Sequence, residues 1–322
     1  MPTTLASLGE FALLQRLLPR LPRGRDVRLG PGDDCAVVHT RNAALLVTVD
    51  ALVEGVHFRR DWLTAAALGR RAFAVNASDI AAMGGTPRWC VTQIGTPART
   101  PAASVEAIAR GVAAAAAATG AAVVGGNLSR AAELSVSVTL IGDAPPRPLT
   151  RAGARAGDAI YVTGTLGDAA LGVRQLRRSR HARGAAVARY RRPSPRLAAG
   201  ALLARRRLAS AMIDVSDGLM QDLGHLCAAS GVGARVEVAQ LPCRAAVRHA
   251  GIDLALAGGE DYELLFTVPR RRTATLTRHA AALGCRITRI GVCTAPADGL
   301  QLVDVSGRAA RWRGAGHDHF TR

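Results

Sequence analysis

The stretch Gly30-Pro31-Gly32-Asp33-Asp34-Cys35-Ala36-Val37-Val38-His39 opens on a glycine–proline turn, sets two acids side by side and runs into an apolar strand over Cys35–His39. A second strand pattern covers Ala44–Val49 and ends on Asp50. A helical pattern over Thr64–Met83 carries Asn76 and Asp79 on one side, opposite an apolar face. Outward from these lie a strand over Arg88–Thr96, an Ala-rich helix over Pro101–Thr119, and strands over Ala121–Val124 and Glu133–Ile141. Upstream of the turn, Leu13, Leu14, Leu17, Leu18 and Leu21 at helical spacing predict an opening helix over Ser7–Leu21. Alternation of this kind, with hairpin-like runs among the strands, indicates α/β (α+β) organisation with mixed β-sheets packed against helices.

The densest proline cluster, Ala144-Pro145-Pro146-Arg147-Pro148-Leu149, reads as a linker, and the pattern restarts after it. Expected there are strands over Ala159–Thr163, Ala211–Val215, Gly233–Val238 and Tyr262–Val268. Helices are expected over Gly164–Arg178, after Arg192-Pro193-Ser194-Pro195-Arg196, and over Leu219–Ser230. With 322 residues, two domains fit, 1–149 and 150–322.

Composition removes several classes of protein. All 42 basic residues are Arg and none is Lys, which excludes a Walker-A phosphate loop, a protein kinase and a pyridoxal enzyme. Phosphate chemistry in this chain must run on metal ions, Arg and backbone amides. Six cysteines without paired spacing give neither a zinc site nor a disulfide framework and read as small core residues of a cytoplasmic protein. The blandest stretch, Val112–Val124, is interrupted by Thr119 and Gly120 and is too short for a membrane span; it reads as a helix followed by a strand. The net charge of +18 clusters in Arg174–Arg192, Arg205–Arg207 and Arg270–Arg272. With aromatics at 3 %, these clusters read as solvated helix faces and loops that attract anionic substrates, and not as a nucleic-acid site.

Acids number only 24, so their positions carry information. Asp33-Asp34, Asp50, Asp79, Asp214, Asp217 and Glu260-Asp261 fall at element junctions or beside glycines. Each has a plainer role open to it: Asp33 and Asp34 can shape a turn, Ser216 can cap the helix after it with Asp217 in the first turn, and Glu260-Asp261 can form a turn before a strand. Taken jointly, carboxylates converging on one place repel one another, and a divalent cation relieves that repulsion. Mg²⁺, with its preference for oxygen ligands and phosphates, is the expected ion.

The same positions fall within longer motifs: Gly9-Glu10-Phe11, Gly30-Pro31-Gly32-Asp33-Asp34, Thr48-Val49-Asp50, Glu54-Gly55-Val56-His57-Phe58, Asn76-Ala77-Ser78-Asp79, Gly125-Gly126, Leu149-Thr150-Arg151, Asp214-Val215-Ser216-Asp217-Gly218, Gly258-Gly259-Glu260-Asp261-Tyr262-Glu263 and Asp318-His319-Phe320. In this order, almost end to end, they resemble the thiamine-monophosphate kinase family. That family is related to aminoimidazole-ribonucleotide synthetase, selenophosphate synthetase and a hydrogenase-maturation protein. The resemblance implies a two-domain aminoimidazole-ribonucleotide synthetase-like fold and a homodimer formed through the N-terminal domain. It also implies ATP-dependent phosphorylation of thiamine monophosphate to thiamine diphosphate. By motif, Asp34, Thr48, Asp50, Asp79, Asp214 and Asp217 would hold Mg²⁺, with Val49 offering a backbone oxygen and Asp50 and Asp79 central to catalysis. Gly126, Asn127, Arg151 and Ser216 would contact ATP, and His57, Glu260 and His317 thiamine monophosphate. Two departures stand out: Asn127 replaces the family's usual metal-binding Asp, and His317 replaces the usual aromatic residue. A weaker Mg²⁺ site and altered stacking follow as expectations. The rival readings are a related enzyme that activates a different acceptor, and a basic nucleic-acid-binding protein descended from the enzyme. A reactive Cys near the N-terminus, expected for selenium chemistry, is absent, since the first Cys is Cys35 within a strand.

Overall fold

The computed structural model describes residues 26–310 except 31 and 42, together with Ala12 and Gln15. Apart from those last two positions, the expected opening helix lies outside the described residues, as does His317.

The first half supplies β1 (Val27–Leu29), β2 (Ala36–His39), β3 (Ala44–Val53), α1 (Ala65–Ala82), β4 (Thr86–Thr96), α2 (Ala102–Ala118), β5 (Ala122–Arg130) and β6 (Ser135–Asp143). Its sheet has the order β1-β2-β3-β6-β4-β5, antiparallel throughout except for the β4–β5 pair. β6 shows why the sheet has one covered face: Val136, Val138 and Leu140 are buried while Ser135, Ser137 and Thr139 alternate with them on the other side. The covering element is α1, started by Thr64, whose Oγ1 accepts the Ala67 N–H at 3.2 Å.

The second half comprises β7 (Ala159–Thr163), α3 (Asp168–Arg178), α4 (Ala185–Arg191), α5 (Leu197–Arg205), β8 (Ala211–Asp214), α6 (Leu219–Ser230), β9 (Gly233–Glu237), α7 (Ala245–Ala250), α8 (Asp253–Leu256), β10 (Leu264–Val268), α9 (Thr273–His279), β11 (Ile287–Thr294) and β12 (Leu300–Val303). They form a sheet in the order β12-β9-β11-β7-β10-β8.

α1 is buried on nearly every side because both halves use it. Phe73, Ala77 and Ile80 join the first core, to which the second half adds Leu176, Val187 and Tyr190. Ala81 and Ala82 instead pack with Tyr161, Leu203 and Phe266 on one face of the second sheet. Residues 144–149 carry no helix or strand, yet Leu149 is buried in that same cluster and donates its N–H to the Met83 carbonyl.

Three departures from the sequence reading have physical reasons. β3 does not stop at Val49; it continues to Val53 because its partner β6 continues, with Asp50 opposite Val138. β11 and β12 were not expected: Arg286 and Arg289 interrupt the first pattern, and the second is four residues long. The basic stretch 174–192 is not only a solvated face, since it contains α4, whose Val187 and Tyr190 are buried. Arg189 and Arg191 point inward, to Glu263 and to the Trp62 carbonyl, respectively.

Candidate active site

Beyond Val47, β3 has no β2 residue beside it, so its second half pairs with β6 alone. That open edge forms one wall of a cavity of about 700 Å³. The opposite wall comes from the second half: one stripe of α3 (Ala170, Val173, Arg174, Arg177), the loop after β8, and residues 257–260. Its lining combines several acids with Arg174 and Arg177 and the apolar side chains of Leu52, Val56, Val173 and Leu254.

Most of the sequence-predicted site residues meet here. Asp34, Thr48, Val49, Asp50, His57, Asp79, Arg151, Asp214, Ser216, Asp217 and Glu260 all line the cavity. Carboxylate oxygens of Asp34, Asp79 and Asp214 lie within 4.8 Å of one another, although the three residues come from the turn before β2, the end of α1 and the end of β8. The Thr48 hydroxyl donates to Asp79 Oδ2 at 2.6 Å and the Ser78 hydroxyl to Asp214 Oδ2 at 2.6 Å, which orients both carboxylates. The Asn76 side chain accepts the Asp50 N–H at 2.9 Å and donates to the Ala72 carbonyl, locking β3 to α1. Arg151 donates to Asp34 Oδ1 at 2.7 Å, while Asp34 Oδ2 is buried and has no hydrogen-bond donor.

Burial and mutual repulsion leave this cluster poorly matched to three free negative charges. At an effective dielectric of 20, two charges 4–5 Å apart repel by about 3–4 kcal/mol. Burial, opposed by Arg151, pushes the Asp34 carboxyl up to about 6. Burial and the neighbouring Asp34 push Asp214 up to about 8, and burial with Asp50 and Asp214 lifts Asp79 well above the usual carboxylate range. An oxygen without a donor in a converging set of carboxylates matches the donor chemistry that Mg²⁺ takes.

Neighbouring acids in the motifs divide their work. Asp33 shapes the turn, accepting the Asp34 and Arg151 N–H groups, and leaves Asp34 to the cavity. Glu260 faces the cavity, whereas Asp261 is buried and accepts the Gly167 and Ala169 N–H groups at the start of α3. Ser216 is not a helix cap and Asp217 is not in a first turn, because α6 begins at Leu219 behind Gly218. The residue that holds this loop is Asp222, which sequence reasoning missed: its Oδ2 accepts the N–H groups of Ser216, Asp217 and Gly218 at 3.1–3.2 Å. Its place four residues into the helix after the motif was the available signal.

Gly126 and Asn127 do not line the cavity. They sit on β5, three ladder steps from β3, or about 14 Å at ~4.8 Å per step. Gly126 has a packing reason to be glycine, since a Cβ there would stand 2.5 Å from the Thr92 carbonyl oxygen. Asn127 belongs to the sheet face turned away from α1, in the row Ala51–Ser137–Gln93–Asn127. Toward β2 that face carries open apolar side chains in the next two rows: Val49 is 60 % exposed, Val91 39 % and Trp89 38 %.

The AIR synthase related protein N-terminal domain model matches residues 32–144, and the corresponding C-terminal domain model matches 155–302. Thiamine-monophosphate kinase of Escherichia coli (strain K12) is 40 % identical over 326 residues, covering 97 % of this chain and 98 % of that protein. The structure of AaThiL complexed with AMPPCP and TMP superposes with a TM-score of 0.86 at 33 % identity, covering 99 % of this chain and 100 % of that one. Thiamine-monophosphate kinase from Stenotrophomonas maltophilia K279a gives 0.76 at 38 % identity, covering 94 % and 98 %. With both halves of this architecture matched and two residues in five shared along nearly the whole length, the chain belongs to the thiamine-monophosphate kinase family.

Proposed function

We propose that the cavity is where this enzyme, a thiamine-monophosphate kinase, moves the terminal phosphoryl group of ATP onto thiamine monophosphate, giving thiamine diphosphate and ADP. The observation that carries the reading is the convergence of buried Asp34 and Asp214 with half-buried Asp79, with one Asp34 oxygen lacking a donor. Both reactants are phosphate anions, so catalysis is positioning and charge neutralisation. Asp34, Asp79 and Asp214, with Thr48, Val49, Asp50 and Asp217 beside them, would hold Mg²⁺. When bound, Mg²⁺ neutralises and templates phosphate oxygens. Thr48 and Ser78 keep their carboxylates aimed by donating to one oxygen of each. Arg151 brings a planar donor to the same place, and Asp222 keeps the Ser216–Asp217 loop in shape.

No general base is needed, because the second pKa of a phosphate monoester is about 6 and the acceptor oxygen is already largely ionised near neutral pH. His57 is suited to contact the substrate: its Nδ1 accepts the Val53 N–H at 3.1 Å, so the neutral ring carries its proton on Nε2 as a donor. The test is a coupled assay with thiamine monophosphate, ATP and Mg²⁺. Mg²⁺-dependent ADP release that requires thiamine monophosphate and yields thiamine diphosphate supports the reading; ADP release indifferent to that acceptor overturns it.

The raised carboxylates give a second check. In the metal-free protein, Asp34 and Asp214 retain protons that the unfolded chain, with Asp near 4, has released. Their contribution to stability is therefore full below pH 4 and lost as pH rises through 6 and 8. Bound Mg²⁺ replaces those protons, so the rise in melting temperature on adding Mg²⁺ is expected to be larger at pH 8 than at pH 5.5. An equal rise at both values would count against metal binding by these carboxylates.

A homodimer through the first sheet accounts for Gly126 and Asn127. Val49 and Ala51 line the cavity and also belong to the open apolar face that carries Asn127, so a second copy packed on that face would bring its own β5 toward the cavity. Asn127→Asp is then expected to lower the Mg²⁺ concentration for half-maximal activity several-fold, read from a Mg²⁺ titration of the assay. An unchanged titration would remove Asn127 from the metal site. The cytoplasm is the proposed location: all six cysteines are free, four of them buried, and among the described residues no helix is long and apolar enough to cross a membrane.

A further inference from the structure

The side chain of Arg71 has 0 % exposure in the middle of α1, about 12 Å (two turns) ahead of Asp79. One guanidinium nitrogen, Nη2, donates to Glu260 Oε1 and the other, Nη1, to the Tyr190 carbonyl. The guanidinium lies over the Tyr190 ring, 4.5 Å from its centroid, and 5.8 Å from that of Tyr262. Tyr190 in turn donates its hydroxyl to the His57 carbonyl at 2.8 Å. The chain Glu260–Arg71–Tyr190–His57 thus crosses from the second half to the first and joins the two described residues proposed above to contact thiamine monophosphate. Neither Arg71 nor Tyr190 lines the cavity.

Two features indicate that the chain of contacts acts on position. A buried Arg–carboxylate pair contributes little net stability compared with apolar packing, and here Arg71 Nε is buried without any partner. At the other end, Glu260 and Tyr262 are held at φ 70° and 50°, left-handed conformations that cost of order 1–3 kcal/mol for side chains other than glycine. Something must hold Glu260 there. Its N–H donates to the Ser216 carbonyl at 2.7 Å, which fixes the backbone, and Arg71 fixes the carboxylate. With Oε1 taken by Arg71 and the pair neutral overall, Oε2 remains to accept a hydrogen bond at the cavity wall.

We infer that Arg71 and Tyr190 are positioning residues for the acceptor substrate: they set Glu260 and His57 at a defined separation and so determine affinity for thiamine monophosphate, not for ATP. The inference rests on the assignment of the cavity under Proposed function. The experiment measures KM for each substrate with the other saturating, and the dissociation constant of thiamine monophosphate by calorimetry in the presence of Mg²⁺ and a non-hydrolysable ATP analogue. Arg71→Met is expected to raise KM and Kd for thiamine monophosphate at least tenfold, with KM for ATP changed less than threefold. Arg71→Lys is expected to recover part of the loss. Tyr190→Phe removes a single oxygen and keeps the ring over Arg71, so it folds even if Arg71→Met does not; a threefold to tenfold rise in KM for thiamine monophosphate alone is expected. The double variant Arg71→Met/Glu260→Gln is expected to be no more than twofold worse than Glu260→Gln. Equal rises in both KM values, a fall in kcat alone, or multiplying effects in the double variant would overturn the inference. A wild-type enzyme that does not phosphorylate thiamine monophosphate would overturn the functional assignment itself, which is a separate result.

Discussion

Asp79→Asn is expected to lower kcat at least a thousandfold, about 4 kcal/mol of transition-state stabilisation, without unfolding the protein. The side chain stands at the end of α1, its Oδ2 accepting from Thr48 at 2.6 Å, with its carboxylate in the Asp34–Asp214 cluster. An Asn keeps the size and can still accept from Thr48, so packing survives. What it loses is a negative charge that the proposed Mg²⁺ site would need. In the metal-free protein the substitution also relieves repulsion, because half-buried Asp79 stands close to Asp50, Asp214 and Asp34. The melting temperature without Mg²⁺ is therefore expected to stay level or rise, while the Mg²⁺-induced increase disappears. Asp50→Asn, on the open edge of β3, is expected to show the same loss of turnover. Activity within tenfold of wild type in both variants, measured in the coupled assay, would refute a metal site built on these carboxylates.

Glu263→Gln is expected to be the most destabilising conservative change, at about 3–5 kcal/mol, the usual cost of removing one partner from a buried ion pair. The Glu263 side chain is 1 % exposed. It accepts from Arg189, from Arg196 Nε and Nη2 at 2.6 and 2.5 Å, and from the Thr163 hydroxyl at 2.6 Å. A neutral amide would leave two largely buried guanidinium groups around one acceptor and would turn an N–H₂ toward one of the donors. Glu263 is also anchored to the site, because its carbonyl accepts the Val215 N–H beside Ser216. Turnover of the folded fraction is thus expected to fall as well. Chemical denaturation measures the loss; a change below about 1 kcal/mol would show that the arginines relax into solvent when the charge is removed.

The contrast between these two acids shows what kind of feature a sequence discloses. Asp79 was legible because an acid on the polar side of an amphipathic helix, one turn after Asn76, had no good capping role to play. Glu263 was not, because it falls inside the strand expected over Tyr262–Val268, and its partners lie some 70 positions upstream, Arg189 in a stretch that reads as solvated charge and Arg196 just after a proline pair. Arg71 was hidden more completely. Nothing in Gly69-Arg70-Arg71-Ala72 distinguishes the inward Arg from its neighbour, since which one is buried depends on how the second half covers α1. Asp222 was overlooked for a related reason: Ser216 and Asp217 satisfied the expected capping pattern on paper, while the actual acceptor for that loop sat inside the helix.

By itself, the chain of letters determined the alternation of strands and helices and the chemical class. Periodicity is local, and the absence of Lys with acids set at glycine turns restricts phosphate chemistry however the chain folds. Only the tertiary structure decided which acids converge and which merely hold a loop, and that Gly126 and Asn127 stand apart from the cavity on an open sheet face. It alone disclosed the buried arginine linking the two walls. The physical reason is that charge interaction falls with distance in space and rises with burial, and for residues a hundred positions apart both are set by packing.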